Sequence, residues 1–266
     1  MRFARVAQFR YTDGVNPKSA LIRLQDRQAA IGLALAMCIV GAWLTLHIYA
    51  MFVFDLTWAT APFALLIAAL LCWLSVGLFI VSHDAMHGSL VPKGGRINSV
   101  IGTALLFLYA GFSYRKMRAA HFDHHKLAGR AGDPDFDEHH PDRFWPWYTT
   151  FLKRYFGIGS ALFVGCVAAV YWAVFDVPVA NILLLYAMPA IASSIQLFYF
   201  GTYRPHHHNG EAFADRHNAR SETFGSLLSL ATCFHFGYHR EHHIHPDTPW
   251  WALPRKRGAV HREVSV

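Results

Sequence analysis

Charged residues are scarce in this chain. Asp, Glu, Lys and Arg make up 15% of its 266 residues, against about 25% in ordinary soluble domains. Set beside 54% hydrophobic residues, that scarcity excludes a conventional water-soluble globule and points to a membrane protein. Cysteine is also sparse, and Cys38, Cys72, Cys166 and Cys233 all lie in apolar stretches. Such residues behave as small buried hydrophobes, and no disulfide framework is indicated. No repeat, low-complexity tract or linker divides the sequence, so residues 1–266 read as a single domain. Arg2, Arg5, Arg10, Lys18, Arg23 and Arg27 precede the first apolar run, which excludes a cleavable signal peptide.

What the chain does have is a set of long uncharged runs. Four of them, residues 29–54, 59–82, 156–175 and 177–201, reach the roughly 20 residues that cross a bilayer core as a helix. They pair as two hairpins that turn at Asp55–Trp58 and at Asp176–Pro178, where proline interrupts helical hydrogen bonding. Neither turn holds Lys or Arg. All 24 basic residues fall in the N-terminal arm, in residues 91–155 and after Gly201, which the positive-inside rule assigns to the cytoplasm together with both termini. Residues 97–114 are uncharged but have basic residues on both sides, so they are expected to dip in and return or to lie interfacially. Residues 223–237 are expected to form a short helix on the membrane surface. The expected fold is an all-α integral membrane protein: four transmembrane helices in two hairpins, a re-entrant or interfacial segment, and a helical, histidine-rich cytoplasmic cap. The +7 charge follows from this topology and does not call for a nucleic-acid partner.

Histidine is in excess. There are 18, and under this topology all but His47 lie on the cytoplasmic side. Solvated loops gain solubility from Lys, Glu and Ser, so a one-sided gathering of imidazoles points to ligation or proton chemistry. His83 and His87 are four residues apart at the end of the second span, on one helical face. His121, His124 and His125 repeat at i, i+3 and i+4, as do His239, His242 and His243, a spacing that directs three rings to one side of a helix. Eight such ligands exceed one zinc site, which takes three or four, so two metals are implied; imidazole alone leaves zinc, copper, iron and nickel open. His206 or His217 supplies a ninth ligand, with His206 favoured. His139, His140, His207, His208 and His261 are expected to be solvated, and His235, one turn before His239, is expected to back the ligands or touch substrate.

The order His-x-x-x-His, His-x-x-His-His, His-x-x-His-His between two membrane hairpins resembles the membrane fatty-acid desaturase and hydroxylase superfamily. Within it, Gly132-Asp133-Pro134-Asp135-Phe136, the run from Phe198 to His206, His217-Asn218-Ala219-Arg220-Ser221 and His239-Arg240-Glu241-His242-His243 are similar to the bacterial β-carotene ketolases. The resemblance implies two non-haem iron ions, O2 as co-substrate and electrons from a ferredoxin-type donor. It implies a carotenoid dissolved in the bacterial inner membrane, whose β-ionone ring is oxidised at carbon 4. Two successive hydroxylations of one methylene give a gem-diol that loses water to a ketone. The neighbouring alternatives are a carotenoid 3-hydroxylase or a fatty-acid desaturase or hydroxylase; a membrane metal-binding or transport protein is more remote, since the spans hold few polar groups. Asp123, Asp133, Asp135 and Asp215 are expected to receive ring N–H bonds, with His217 and His235 beside them, whereas Asp137, Glu138 and Asp142 read as a hydrated loop. Phe107, Tyr109, Phe112, Phe198, Tyr199 and Phe200, near the ligand-bearing helix ends, are the aromatic candidates for a substrate channel.

Overall fold

Helix α1, Pro17–Phe52, is longer than its apolar part because the segment from Lys18 to Arg27, rich in good helix formers, continues it outward. In the computed structural model, which describes residues 17–257, it packs beside α2, Ala61–His87. Arg2, Arg5, Arg10 and His261 lie outside the described residues. The turn between α1 and α2 is closed by Thr60, whose hydroxyl donates to Asp55 C=O at 2.7 Å and accepts from Thr57 N–H at 2.8 Å. At the other end Gln28 donates to Ser89 C=O at 2.7 Å, tying α1 to the loop after α2.

Helix α3, Gly95–Ala110, runs back along α2. Ser82 hydroxyl donates to Gly102 C=O, and one turn further into the bundle Phe79 meets Tyr109. The chain then turns through 100° into α4, Tyr114–Leu127. Gly102 is required here, since a Cβ on it would lie 2.2 Å from the Tyr114 ring. That ring crosses over to donate from its hydroxyl to Ala85 C=O at 2.9 Å, which fixes α4 against the end of α2.

The second hairpin departs from the sequence expectation. Residues 156–175 hold one helix, α6, Ile158–Ala173, which is too short to count as a full span by itself; α5, Phe144–Tyr155, precedes it and is bent from it by 84°. Gly157 is extended there, and 16 residues of helix rise only about 24 Å. The last span is longer than expected, a continuous helix α7 over Val179–His206, five residues beyond residue 201. Pro189 and Pro205 lie within it, and a π-helical turn precedes each, Ile182–Ala187 and Tyr199–Tyr203. The wider turn accommodates a residue that lacks an N–H and crowds the preceding carbonyl. Asn181 anchors the start of α7, donating to Ala50 and Phe54 carbonyls at the end of α1.

Two short helices follow, α8 at Ser226–Cys233 and α9 at His239–Ile244, and then a 3-10 turn at Trp250–Ala252. α8 packs on α2 and α7, with Leu227 and Leu228 turned outward. The chain is therefore an all-α membrane protein. Helices α1, α2 and α7 are each long and apolar enough to cross a bilayer, and the bent pairs α3–α4 and α5–α6 bring the total to five if each counts as one span.

Candidate metal centre

Nine histidines meet where α2, α4, α7 and α9 converge. His83, His87, His121, His125 and His242 form one group, and His124, His206, His239 and His243 form the other; within each, one nitrogen per ring lies within 4.8 Å of all the rest. Both triple boxes are divided between the groups. On α4 the i, i+4 pair His121 and His125 goes to the first group and His124 to the second; on α9 the pair His239 and His243 goes to the second and His242 to the first. α2 completes the first group with His83 and His87, and the extended end of α7 completes the second with His206.

The spacing inside the first group fits a metal ion better than hydrogen bonds among the rings. His121 Nε2 has three other Nε2 atoms around it, those of His87 at 2.7 Å, His83 at 2.8 Å and His125 at 3.1 Å. A ring nitrogen carries either one proton or one lone pair, so it cannot satisfy three such contacts. Nitrogens bound about 2.1 Å from one ion at right angles sit about 3 Å apart, which is the separation found. In the second group His206 Nε2 is buried and has no hydrogen-bond partner among the described residues, while its Nδ1–H donates to Asn218 C=O at 2.7 Å. That bond sets the tautomer and turns the Nε2 lone pair toward His239 and His243.

The electrostatics suit ligation. Burial, reinforced by the surrounding imidazoles, holds His121, His239, His242 and His243 well below the usual imidazole range and pushes His125 down to about 2. Neutral rings are the form that binds metal. His124 differs. Burial opposes its charge, but the hydrogen bond to Asp133 and the carboxylates of Asp135 and Asp133 outweigh that and raise it. Its Nδ1–H donates to both Asp133 oxygens at 3.0 Å, and Gly129 and Asp135 N–H groups, each at 2.8 Å, hold that carboxylate in place.

Other expected neighbours fall elsewhere. Asp123 lies on the outer face of α4, paired with Lys126 at 2.9 Å, and meets no ligand ring. Asp215 accepts from Arg240 at 2.9 Å and from His217 N–H, so it steadies α9 instead of a ligand. Asp135 is 3.8 Å from His124 Nδ1 and accepts the Tyr155 hydroxyl. His217 stands 6.3 Å from His243 between ring centroids and His235 stacks between Tyr238 and Trp250; neither joins a group. His139, His140, His207 and His208 also remain outside both. Asp137 is buried, not hydrated, and accepts from Thr150 hydroxyl at 2.9 Å.

A mostly apolar cavity opens onto both groups, touching His83, His121, His124 and His239. Of the aromatic candidates, Tyr109 and Phe112 line it. Phe107 packs outward on Phe163, Phe198 fills a second core with Trp147 and Tyr148, Tyr199 stacks near Phe144 and Arg204, and Phe200 packs on the main core. The wall is supplied instead by residues such as Phe79, Phe151, Tyr155 and Phe236. Phe79 lies one turn before His83, a placement the sequence reading had not used. Glu241 was also missed: buried on α9 between two ligands, it accepts the Ser221 hydroxyl, which in turn accepts from Arg240 N–H.

The fatty acid desaturase family model matches residues 56–165 and 158–265. Among curated proteins, the chain is 48% identical over 222 residues to a beta-carotene ketolase of Paracoccus sp. (strain N81106 / MBIC 01143), covering 82% of this chain and 89% of that protein. It is 46% identical over 228 residues to the beta-carotene ketolase of Paracoccus sp. (strain PC1), covering 85% and 92%. A zeaxanthin 4-ketolase of Chlamydomonas reinhardtii is 36% identical over 239 residues, 85% of this chain and 53% of that longer protein.

Proposed function

We propose that this chain, which belongs to the fatty acid desaturase family and within it to the bacterial carotene ketolases, is an oxidoreductase that turns the C4 methylene of a β-ionone ring into a ketone. It would act on β-carotene or its hydroxylated forms, with O2 as co-substrate and a ferredoxin-type protein as electron donor. The observation that carries the reading is the pair of histidine groups, one fully and one partly buried, opening together into one apolar cavity. We assign His83, His87, His121, His125 and His242 to one iron and His124, His206, His239 and His243 to the other. Two ions held there would supply O2 activation and hydrogen removal from an otherwise unreactive methylene, chemistry that no acid or base side chain performs.

The protein's own part is binding, orientation and dryness. Phe79, Phe112 and Phe236 offer flat apolar surface to a ring held beside His83 and His239, and keep water from a reactive site. Asp133 and the Asn218 carbonyl hold His124 and His206 with Nε2 turned inward, which fixes tautomers and raises ligand basicity. The basic flanks of α3 and α4 support placing this end, with both termini, on the cytoplasmic side of the inner membrane.

Expression in a β-carotene-producing bacterium, followed by pigment analysis, tests the reading: keto-carotenoids are expected. Hydroxylated products without ketones would make it a 3-hydroxylase, and unchanged carotene with altered lipids a desaturase or lipid hydroxylase.

A further inference from the structure

Outside the histidine cavity, a groove of about 650 Å³ lies between the two bends of the chain. The α3–α4 bend gives one wall, with Lys116, the α5–α6 bend gives the other, with Arg154, and Gly132, Pro134 and Glu138 close the base. Phe112, Met117 and Tyr155 line both hollows, so the groove and the metal centre share a wall of three side chains. The chemistry described above makes no use of the groove.

The N-terminus of α6 opens into it. The first N–H groups of a helix have no acceptor within the helix, and those of Ile158, Gly159 and Ser160 find none elsewhere among the described residues, since no side chain caps them. A Cβ added at Gly157 or Gly159 would meet nothing within 4 Å, so these amides are bare, in a setting that attracts negative charge. Ser160 is an independent sign of a ligand. It lines the groove and is only 6% exposed, yet its hydroxyl makes no hydrogen bond among the described residues. A buried hydroxyl is ordinarily paired, at least with the carbonyl four residues back.

The charges around the groove are of both signs. The Lys116 ammonium forms no ion pair among the described residues. Arg154 donates to the carbonyls of Asp133, Pro134 and Phe136 and pairs directly with no carboxylate. Of the two carboxylates present, Asp133 is occupied by His124 and two N–H groups. Glu138 accepts from Gly132 N–H at 2.8 Å with one oxygen and keeps the other free. Beside the groove, Ile158 and Leu162, one turn apart on α6, are 81% and 63% exposed, an outward apolar surface in a helix that enters the membrane.

We infer that the groove seats the head group of a zwitterionic, amine-bearing phospholipid. Its phosphate lies on the α6 N–H groups, Ser160 and Lys116, its ammonium faces Glu138, and its acyl chains follow Ile158 and Leu162. Bound there, the lipid braces the two bends against each other and supports the shared wall from outside. The inference needs only the membrane placement of the helices and is independent of the ketolase reading.

The full chain, purified in detergent and stripped of lipid, is incubated with phosphatidylethanolamine, phosphatidylglycerol or inorganic phosphate; native mass spectrometry reads retained lipid, and thermal melting reads stabilisation. One phosphatidylethanolamine is expected per chain, in preference to phosphatidylglycerol. Lys116→Gln and Ser160→Ala should each weaken retention of both lipids by about tenfold. Glu138→Gln, which keeps an acceptor for Gly132, should weaken only phosphatidylethanolamine and abolish the preference, a ratio that does not depend on how much of the variant folds. Arg115→Gln, exposed on α4 outside the groove, should bind as the wild type does. Equal retention of the two lipids by the wild type, or undiminished retention by Lys116→Gln and Ser160→Ala, would overturn the site. Inorganic phosphate that raises the melting temperature as much as phosphatidylethanolamine would make it a free-anion site and overturn the lipid assignment. No readout is ketone formation, so a failed pigment assay would refute the ketolase reading alone.

Discussion

The two histidine groups draw on the same helical spacing but are supported differently. In the second, His124 is fixed by Asp133 and His206 by the Asn218 carbonyl, and all four rings are fully buried, with His239 and His243 Nδ1 left without a hydrogen-bond partner. In the first, His87, His121 and His125 are only half-buried, and His83 Nδ1 has no hydrogen-bond partner, with Asp84 at 3.9 Å. Two rings of the second group are preset by their surroundings, whereas the first group depends more on whatever its nitrogens jointly hold. Group two should keep its geometry when emptied; group one should rearrange.

The largest effect should come from the ring at the centre of the less supported group. His121→Ala removes the nitrogen that three others approach, and is expected to abolish ketone formation and lower iron per chain by about half. Full iron with full turnover would mean the group does not bind metal. Next, Asp133→Asn frees the His124 ring and should cost about 10- to 100-fold in activity or iron affinity; kinetics on iron-titrated protein read this directly. An effect confined to group one would reverse the comparison.

Acid should discriminate further. In the metal-free protein, His121, His125, His239, His242 and His243 stay neutral because burial depresses them, while imidazoles of the unfolded chain protonate as pH falls through about 6.5. The unfolded state then binds more protons, so stability is lost on acidification, by up to about 1.4 kcal/mol per pH unit for each ring. His124, raised by its carboxylates, acts oppositely: its contribution is present below about 6.5 and lost as pH rises through its folded value. With five rings against one, metal-free protein in detergent should melt lower near pH 5.5 than near pH 7.5, by about several degrees. Equal melting would mean the emptied rings are hydrated. The smallest effect is expected at Asp123→Asn, within about twofold of wild type, since its exposed pairing with Lys126 is worth little; a loss comparable to that of Asp133→Asn would bring Asp123 back to the site.

Much of this site was legible from periodicity. The i, i+3, i+4 boxes and the pair on α2 mark nine histidines once His206 is added, and all nine meet. Asp133 was legible from its place after the second box, but Asp123 misled because sequence proximity says nothing about which helical face a residue occupies. The bend at Gly157 falls at the very start of the expected span, just after Lys153 and Arg154, and hydropathy does not register a backbone bend. Phe198, Tyr199 and Phe200 sat beside a ligand in sequence, yet the helical turn sends Phe198 to the second core, Tyr199 toward Phe144 and Phe200 onto the main core, none of them lining the cavity.

Composition and spacing by themselves determined that the chain is a helical membrane protein with clustered imidazoles, because burial in lipid and the 3.6-residue turn act locally. Only the tertiary structure decided how the rings are shared. Residues i and i+4 diverge by about 40° around a helix and i and i+3 by about 60° the other way. A triple box therefore splits between two centres, and which centre takes the pair depends on the side from which α2 and α7 bring the remaining ligands.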